Sequence, residues 1–249
     1  MRRTKRAGWL LATLAGIAVA ALGANRLRAR SRRGRDGEPA DVRFMLAMHA
    51  ALRRDLSRLR DAAAQLDSSA DQPVAAPATV LAGWDEFCAQ LRNHHSAEDD
   101  DLWPVLRREL SDADDLATVD AMVDEHEQIP PALAAVDAAI HGGGQLGPPS
   151  ELLSTVVLDH LAHEEQTVLP LIERHLSQAQ WHAFLMKERG RRKPRERPEF
   201  LTWVLDDASA PDAQAVLREI PAPGRLVYRR ILLPRYEAQH RWLIPARAS

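Results

Sequence analysis

The sequence HHSAEDDDLWP at positions 94–104 has a second version further along the chain, HLAHEEQTVLP at positions 160–170. Both versions place a histidine four residues before a glutamate and a proline six residues after that glutamate. Because an α-helix makes one turn in about 3.6 residues, each histidine projects from the same helix face as its glutamate. Two such pairs that face each other between helices would provide nitrogen and carboxylate ligands for a pair of transition metals.

Long amphipathic segments contain and surround these two motifs. Apolar residues recur at helical spacing in four stretches, and segments rich in Gly, Pro, Ser or Asp separate them. The predicted helices cover residues 41–66, 79–110, 112–140 and 150–176, and a cap signal at Ser111 and Asp112 opens the third. Since short connections favour antiparallel neighbours, the sequence predicts an all-α, antiparallel up-down-up-down four-helix bundle.

Each predicted helix contributes one histidine, His49, His94, His126 or His160, at a similar distance from the same end of the bundle. At ~1.5 Å per residue, these histidines lie roughly 15–25 Å from that end and therefore form a common layer. Burying histidines and glutamates together without a cation would carry a large desolvation cost. The sequence therefore predicts six metal ligands: His49, His94, Glu98, His126, His160 and Glu164.

The predicted ligand set restricts the metal. Four imidazoles and two bridging carboxylates supply about eight of the roughly twelve coordination positions of two six-coordinate ions, and solvent-derived bridges and an open position fill the rest. This set favours two iron ions over manganese or zinc. His95 is expected to point away from the layer and His163 to lie behind the ligands. The acidic residues 99–101 and Glu165 are expected to form a solvated face.

These residues also carry a family resemblance. The ordered residues that carry it are His49, His94-x3-Glu98, His126 and His160-x3-Glu164, with the sequels Leu-Trp-Pro and Val-Leu-Pro. Over about residues 41–176 the chain resembles the hemerythrin-like (HHE cation-binding) family. The resemblance implies a four-helix bundle with a non-haem di-iron centre that binds dioxygen or a related small ligand, and some members sense oxygen or iron.

The chain departs from the oxygen-carrying members of that family at one position. Their third helix bears a second histidine one turn after the first, and here that position is Pro130, followed by Pro131. The departure argues against reversible oxygen transport. A sensor, a scavenger of oxygen, peroxide or nitric oxide, or an iron-binding protein fits the residues better.

Two other functions fit the same residues. An enzyme that reduces oxygen or peroxide would use the coordination position that Pro130 leaves open. A structural helical protein would instead expose its His and Glu side chains or bind zinc adventitiously. The sequence contains no phosphate-binding loop, nucleophile elbow or nucleotide fingerprint that would indicate a different enzyme class.

The segments on either side of the predicted bundle have their own composition. Residues 1–40 contain an apolar run at 8–24 between clusters of Arg and Lys, which predicts a membrane anchor with the domain facing the cytoplasm. The alternatives are a cleaved signal of a secreted protein and a wrongly assigned start of a cytoplasmic one. Residues 177–249 predict a basic helical extension that packs on the bundle or binds a membrane surface or partner.

The overall composition excludes several classes of protein. The formal net charge is -2, so the sequence has no global nucleic-acid signature and predicts no nucleic-acid partner. Cys88 is the only cysteine, which excludes a disulfide framework and a Cys-rich zinc or iron–sulfur site. Apolar neighbours at helical spacing predict that its thiol is buried and inert.

Overall fold

The computed structural model describes residues 37–68, 76–193, 196–218 and 220–245, and these residues form an all-α structure, as the sequence predicts. Its first part contains α1 (Arg43–Ser68), α2 (Ala78–Ala97), a first π-turn (Glu98–Leu102), α3 (Trp103–Glu109), α4 (Ala113–Gly142), α5 (Gly147–His163), a second π-turn (Glu164–Val168) and α6 (Leu169–His175). Helix α5 packs against both α1 and α4, and α2 packs against α1. These helices therefore enclose one shared core.

Local signals in the sequence explain where the long helices begin and end. The Asp112 side chain accepts hydrogen bonds from the backbone N–H groups of Asp114 and Asp115, so the predicted cap opens α4. Gly143 ends the same helix in the left-handed conformation, with φ 68°, which glycine adopts without steric cost. Helix α4 continues through Pro130 and Pro131. With each π-turn and the short helix after it included, the four helical regions cover 43–68, 78–109, 113–142 and 147–175, which lie within three residues of the predicted bounds.

Two π-turns interrupt the helices that carry the repeated motif. The N–H of Trp103 bonds to the carbonyl of Glu98, and the N–H of Leu169 bonds to the carbonyl of Glu164, so each turn contains one more residue than an α-helical turn. Pro104 and Pro170 follow directly. Because a proline has no N–H and its ring clashes with the carbonyl four residues earlier, an α-helical turn is unfavourable here.

Large apolar side chains join the first part of the structure to the C-terminal extension. Among the described residues, the fully buried tryptophans are Trp84, Trp103, Trp181 and Trp203, of which the last two belong to the extension. Cys88 is buried in the same core, as predicted, and burial raises the pKa of its thiol to about 12. A thiol with so high a pKa is unreactive at neutral pH.

The extension is a series of short helices that packs against α1 and α2. It contains α7 (Gln178–Arg191), α8 (Arg197–Leu205), α9 (Ala210–Arg218), α10 (Ala222–Val227), a third π-turn (Tyr228–Leu232) and α11 (Leu233–Glu237). The indole N–H of Trp203 donates to the buried carboxylate of Asp55 on α1 at 2.6 Å. At the other end, the ring of Trp242 lies directly over Gly83 of α2, and its backbone N–H donates to the carbonyl of Thr79.

The predicted membrane anchor needs correction. In the part of the chain that the structure describes, every helix is too short or too polar to cross a lipid bilayer. This finding contradicts the predicted membrane-anchored location. The apolar run at 8–24, on which that prediction rested, lies outside the described residues.

Candidate metal centre

Buried histidines and glutamates from different helices come together between the long helices. They are His49 of α1, His94 and His95 of α2, Glu98 at the start of the first π-turn, His126 of α4, His160 of α5 and Glu164 at the start of the second π-turn. The structure thus brings the six predicted residues to one place. It also brings in His95, which the sequence analysis expected to point away.

The possible ligand atoms of these residues form two groups. The first group consists of His49, His94, Glu98 and Glu164, with one ligand atom of each within 4.8 Å of the others. The second group consists of His95, His126 and His160, within the same distance. Oε2 of Glu98 lies 3.6 Å from Nε2 of His126, so the two groups adjoin each other. Each group has the size and chemistry of a site for one transition-metal ion.

The carboxyl groups of Glu98 and Glu164 are both fully buried. Within the described parts of the chain, none of their oxygens takes part in a well-formed hydrogen bond. Ring nitrogens of His94 and His49 lie 3.1 and 3.2 Å from these oxygens, but without hydrogen-bonding geometry. Burying a carboxylate without a full set of partners costs several kcal/mol, of order ~5 per ion. A bound cation is the simplest group that removes this cost.

Burial sets the protonation of the site in the absence of a cation. Burial and the neighbouring charge of Glu164 raise the pKa of Glu98 well above its usual value. Burial also acts to raise the pKa of Glu164, but the charge of His49 outweighs it and lowers that pKa. Burial acts to lower the pKa of His49, which the two nearby glutamates nevertheless raise to about 9. For His94 and His95, burial lowers the pKa well below the usual value, so both imidazoles are neutral and able to bind a metal.

Three of the histidines are oriented by a carboxylate behind them. In each case Nδ1 contacts an acidic side chain: His49 with Glu165 at 2.9 Å, His126 with Asp99 at 2.8 Å and His160 with Glu125 at 2.9 Å. A carboxylate behind a ligand histidine fixes its ring and the tautomer that leaves Nε2 free to bind a metal.

The inward nitrogens of these histidines lie close to one another. The Nε2 atoms of His126 and His160 are 3.2 Å apart, and those of His49 and His94 are 3.1 Å apart. For His126 and His160, the tautomer that donates from Nδ1 to the carboxylate behind leaves a lone pair on each Nε2, and two lone pairs at this distance repel. A cation that accepts both lone pairs turns this repulsion into attraction. The raised pKa of His49 instead keeps a proton on its Nε2, which can be donated to His94.

The acidic residues that orient the histidines were not predicted from the sequence. Asp99 and Glu165 were expected to form a solvated face rather than bind metal, and they are exposed and partly exposed, but each also contacts a histidine of the site. Glu125 was not considered. Each of these residues is next in sequence to a residue of the site, which is the signal that could have found them. Two guanidinium hydrogen bonds from Arg53, at 2.6 and 3.0 Å, also hold Glu165. His163 contacts Glu125 at 2.6 Å and lies behind the site.

The C-terminal extension contacts the site region through the first π-turn. Arg191 of α7 donates to Asp101 at 2.7 and 3.0 Å and lies 3.0 Å from Asp100, while Lys187 lies 3.5 Å from Asp101. These acidic residues directly follow Glu98 and Asp99 in the sequence. The basic face of α7 therefore offsets the acidic charge next to the candidate centre.

Comparison with known proteins agrees with this geometry. A family model described as the hemerythrin HHE cation binding domain matches residues 40–172, a range that contains every residue of the two ligand groups. No curated protein and no solved structure gives a significant match to the chain. Because the family model covers more than half of the chain and the buried His and Glu side chains have the arrangement of a metal centre, the protein belongs to the hemerythrin HHE cation-binding family.

Proposed function

We propose that this protein holds a non-haem di-iron centre and binds or senses dioxygen or a related small ligand, such as nitric oxide or peroxide, or iron itself. In this proposal the four long helical regions form an up-down-up-down bundle around the centre. The observation that carries the proposal is the pair of fully buried carboxyl groups of Glu98 and Glu164, whose oxygens have no well-formed hydrogen bond among the described residues. The imidazoles of His94 and His95, whose pKa values burial lowers, provide one neutral nitrogen ligand in each of the two groups.

Each predicted ligand residue has a specific part in this proposal. His49 and His94 would bind one iron, His126 and His160 would bind the other, and the two glutamates would bridge them. The irons, when bound, supply the electrons and the coordination position that capture of dioxygen needs. The protein supplies the burial, which excludes bulk water, and the carboxylates behind the histidines, which fix the direction of each Nε2.

The donor set supports iron over the other candidate metals. Structural zinc is almost always four-coordinate and tetrahedral, whereas two bridging carboxylates between imidazoles suit two ions of higher coordination number. Manganese is the nearest alternative, but it binds more readily to sites richer in carboxylate oxygen than in imidazole. The number of buried histidines in the two groups therefore favours two irons.

Metal content and an optical spectrum test this proposal directly. The full chain is purified without oxygen, loaded with ferrous iron, freed of excess iron and then exposed to air. We expect about two irons per chain and a new near-ultraviolet and visible band on exposure to air. Zinc or no metal in the purified protein, with an unchanged spectrum after iron loading, would contradict the proposal and point to a structural helical protein.

A turnover assay separates the binder or sensor from an enzyme. The same iron-loaded protein is given peroxide, or dioxygen with a chemical electron donor, and consumption is compared with an equal concentration of free iron. Consumption that repeats over many cycles per centre would assign a reductase activity. A single stoichiometric change that reverses when the ligand is removed would assign binding or sensing.

A further inference from the structure

We infer that His95 is a seventh metal ligand and that the second metal position is held by three imidazoles, His95, His126 and His160. This inference rests on the proposed function, since it specifies one of the two positions of that centre. The third imidazole comes from α2, the helix that also carries His94 and Glu98. His95 would thus replace, as a metal ligand, the second histidine that the third helix carries in the oxygen-carrying members of the family.

The position of His95 on its helix allows this role. Successive residues of an α-helix are separated by about 100° around the axis, so Glu98 lies about 40° from His94 and about 60° from His95 in projection. The glutamate therefore sits between the two neighbouring histidines. A bridging carboxylate in that place has one imidazole of the same helix on each side, and each imidazole faces a different metal position.

The contacts of His95 point in the same direction. Its ring is stacked on His126, with ring centres 4.1 Å apart, and meets His160 edge-on at 5.1 Å. The residue is buried, and across the residues that the structure describes its Nε2 atom has no hydrogen-bond partner. A buried ring nitrogen without a partner loses about 1–3 kcal/mol of hydration, which coordination to a metal offsets.

The third helix offers no imidazole for this position. Pro130, one turn after His126, is exposed at the surface of α4, and Ile129 and Leu133 occupy the buried face beyond the histidine. A second ligand from α4 is therefore absent among the described residues. The side chain that completes the second group comes from the facing helix instead.

This ligand set makes the two metal positions unequal in imidazoles, with two at the first position, from His49 and His94, and three at the second. Glu98 and Glu164 lie in the first group, Oε2 of Glu98 is 3.6 Å from Nε2 of His126, and both glutamates would bridge to the second position. The position with fewer protein ligands is the one that admits a small molecule. From the sequence, the open coordination position was expected beside Pro130, whereas the ligand set inferred here leaves it on the side of His49 and His94.

Counting metal-bound imidazoles in the unaltered protein is the first test. The full chain is loaded with cobalt(II), a paramagnetic substitute for ferrous iron, and the strongly shifted imidazole N–H signals are counted by proton NMR. Five such signals with two cobalt ions per chain would support the inference, and four would overturn it. Failure to retain two metal ions would instead contradict the proposed di-iron function, so the two failures are distinguishable.

A histidine substitution tests the same inference in the iron form. We expect His95→Gln to release one of its two irons to a chelator at least ~10-fold faster than the wild type. We also expect it to bind two azide ions per centre where the wild type binds one, measured by optical titration. His141→Gln is the matched control, because His141 is exposed and contacts only Asp137 of its own helix at 3.5 Å among the pairs described.

The controls distinguish loss of a metal ligand from failure of the variant to fold. Helix content and the thermal midpoint of the metal-free protein show whether His95→Gln folds, and the cobalt measurement on the wild type decides the matter if it does not. A folded His95→Gln protein with wild-type iron release and one azide per centre would overturn the inference. Restoration of iron retention in His95→Gly by added imidazole would support it, since imidazole replaces the missing ligand.

Discussion

Glu98 and Glu164 each occupy the first residue of a π-turn, and their fully buried carboxyl groups share one ligand group with His49 and His94. Two carboxyl groups so close together in a buried place are unfavourable as two anions, and the raised pKa of Glu98 reflects this relationship. The same arrangement is favourable once a divalent cation lies between them. Substitutions in the centre therefore have opposite effects with and without metal.

We expect Glu98→Gln to keep or increase the stability of the metal-free protein and to weaken iron binding by at least ~100-fold. The substitution removes a buried acidic group that has no well-formed hydrogen bond, and it also removes a bridging ligand. Urea unfolding without metal and competition with a chelator measure the two effects. Glu173→Gln, at an exposed position of α6, is the control. If Glu98→Gln destabilised the metal-free protein as much as the iron-loaded protein, this account would be contradicted.

We expect Glu125→Gln to weaken iron binding by about 10–100-fold without changing the number of irons at saturation. Glu125 contacts Nδ1 of His160 and of His163, so an amide in its place no longer fixes the imidazole as strongly. Iron affinity is measured by chelator competition. Glu127→Gln, two residues away and exposed, provides the comparison. Identical affinities of these two variants would show that Glu125 does not orient a ligand.

The metal-free protein should lose stability in acid through Glu165. Burial acts to raise the pKa of this carboxyl, but hydrogen bonds with His49 and Arg53 lower it from 4.5 to about 2. A pKa lowered in the folded state gives stability that is present above pH 4.5 and lost as the pH falls toward 2. We expect Glu165→Gln to flatten the unfolding free energy over this interval. Since the carboxyl is partly exposed, a change under ~1 kcal/mol is expected. An unchanged pH profile would exclude this contribution.

The contact between Gly83 and Trp242 should make alanine unfavourable at a helical position. A Cβ atom on Gly83 would lie 2.4 Å from the Trp242 ring, so we expect Gly83→Ala to destabilise the protein by about 1–3 kcal/mol. In the Trp242→Ala background the same change should stabilise α2 by up to ~1 kcal/mol, because alanine favours helix over glycine. Thermal and urea unfolding of the four proteins in this cycle measure the difference. Additive effects would show that the C-terminal segment does not pack on α2 in solution.

Helix positions could be predicted from the sequence because local residues determine them. Asp112 provides side-chain acceptors for the first N–H groups of α4, and Gly143 accepts the left-handed conformation at its end. The pairs His94–Glu98 and His160–Glu164 were visible for the same reason, since a spacing of four residues places both side chains on one helix face. These features depend only on neighbours in the chain.

The rest of the centre depends on contacts between helices. The prediction assumed that only one of two adjacent histidines on a helix can face the site. Because His94 was assigned to the site, His95 was expected to point away from it. Glu98 belongs to the same group as His94 and adjoins the group of His95, so both histidines face inward. Asp99 and Glu165 lie at the border between interior and solvent, where spacing along one helix does not decide which histidine of another helix they meet.

The third π-turn, at Tyr228–Leu232, separates the two features of the repeated motif, the backbone turn and the metal ligands. Leu233 donates its N–H to the carbonyl of Tyr228, and Pro234 follows, as in the two turns at the centre. Four residues before Tyr228, where the other two turns have a histidine, the chain has Gly224. A proline thus follows a π-turn in three places, whereas possible metal ligands occur at only two of the three turns. A search pattern for relatives should therefore give more weight to the histidine–glutamate pair than to the proline. In this chain the proline also follows a π-turn that has no metal ligand.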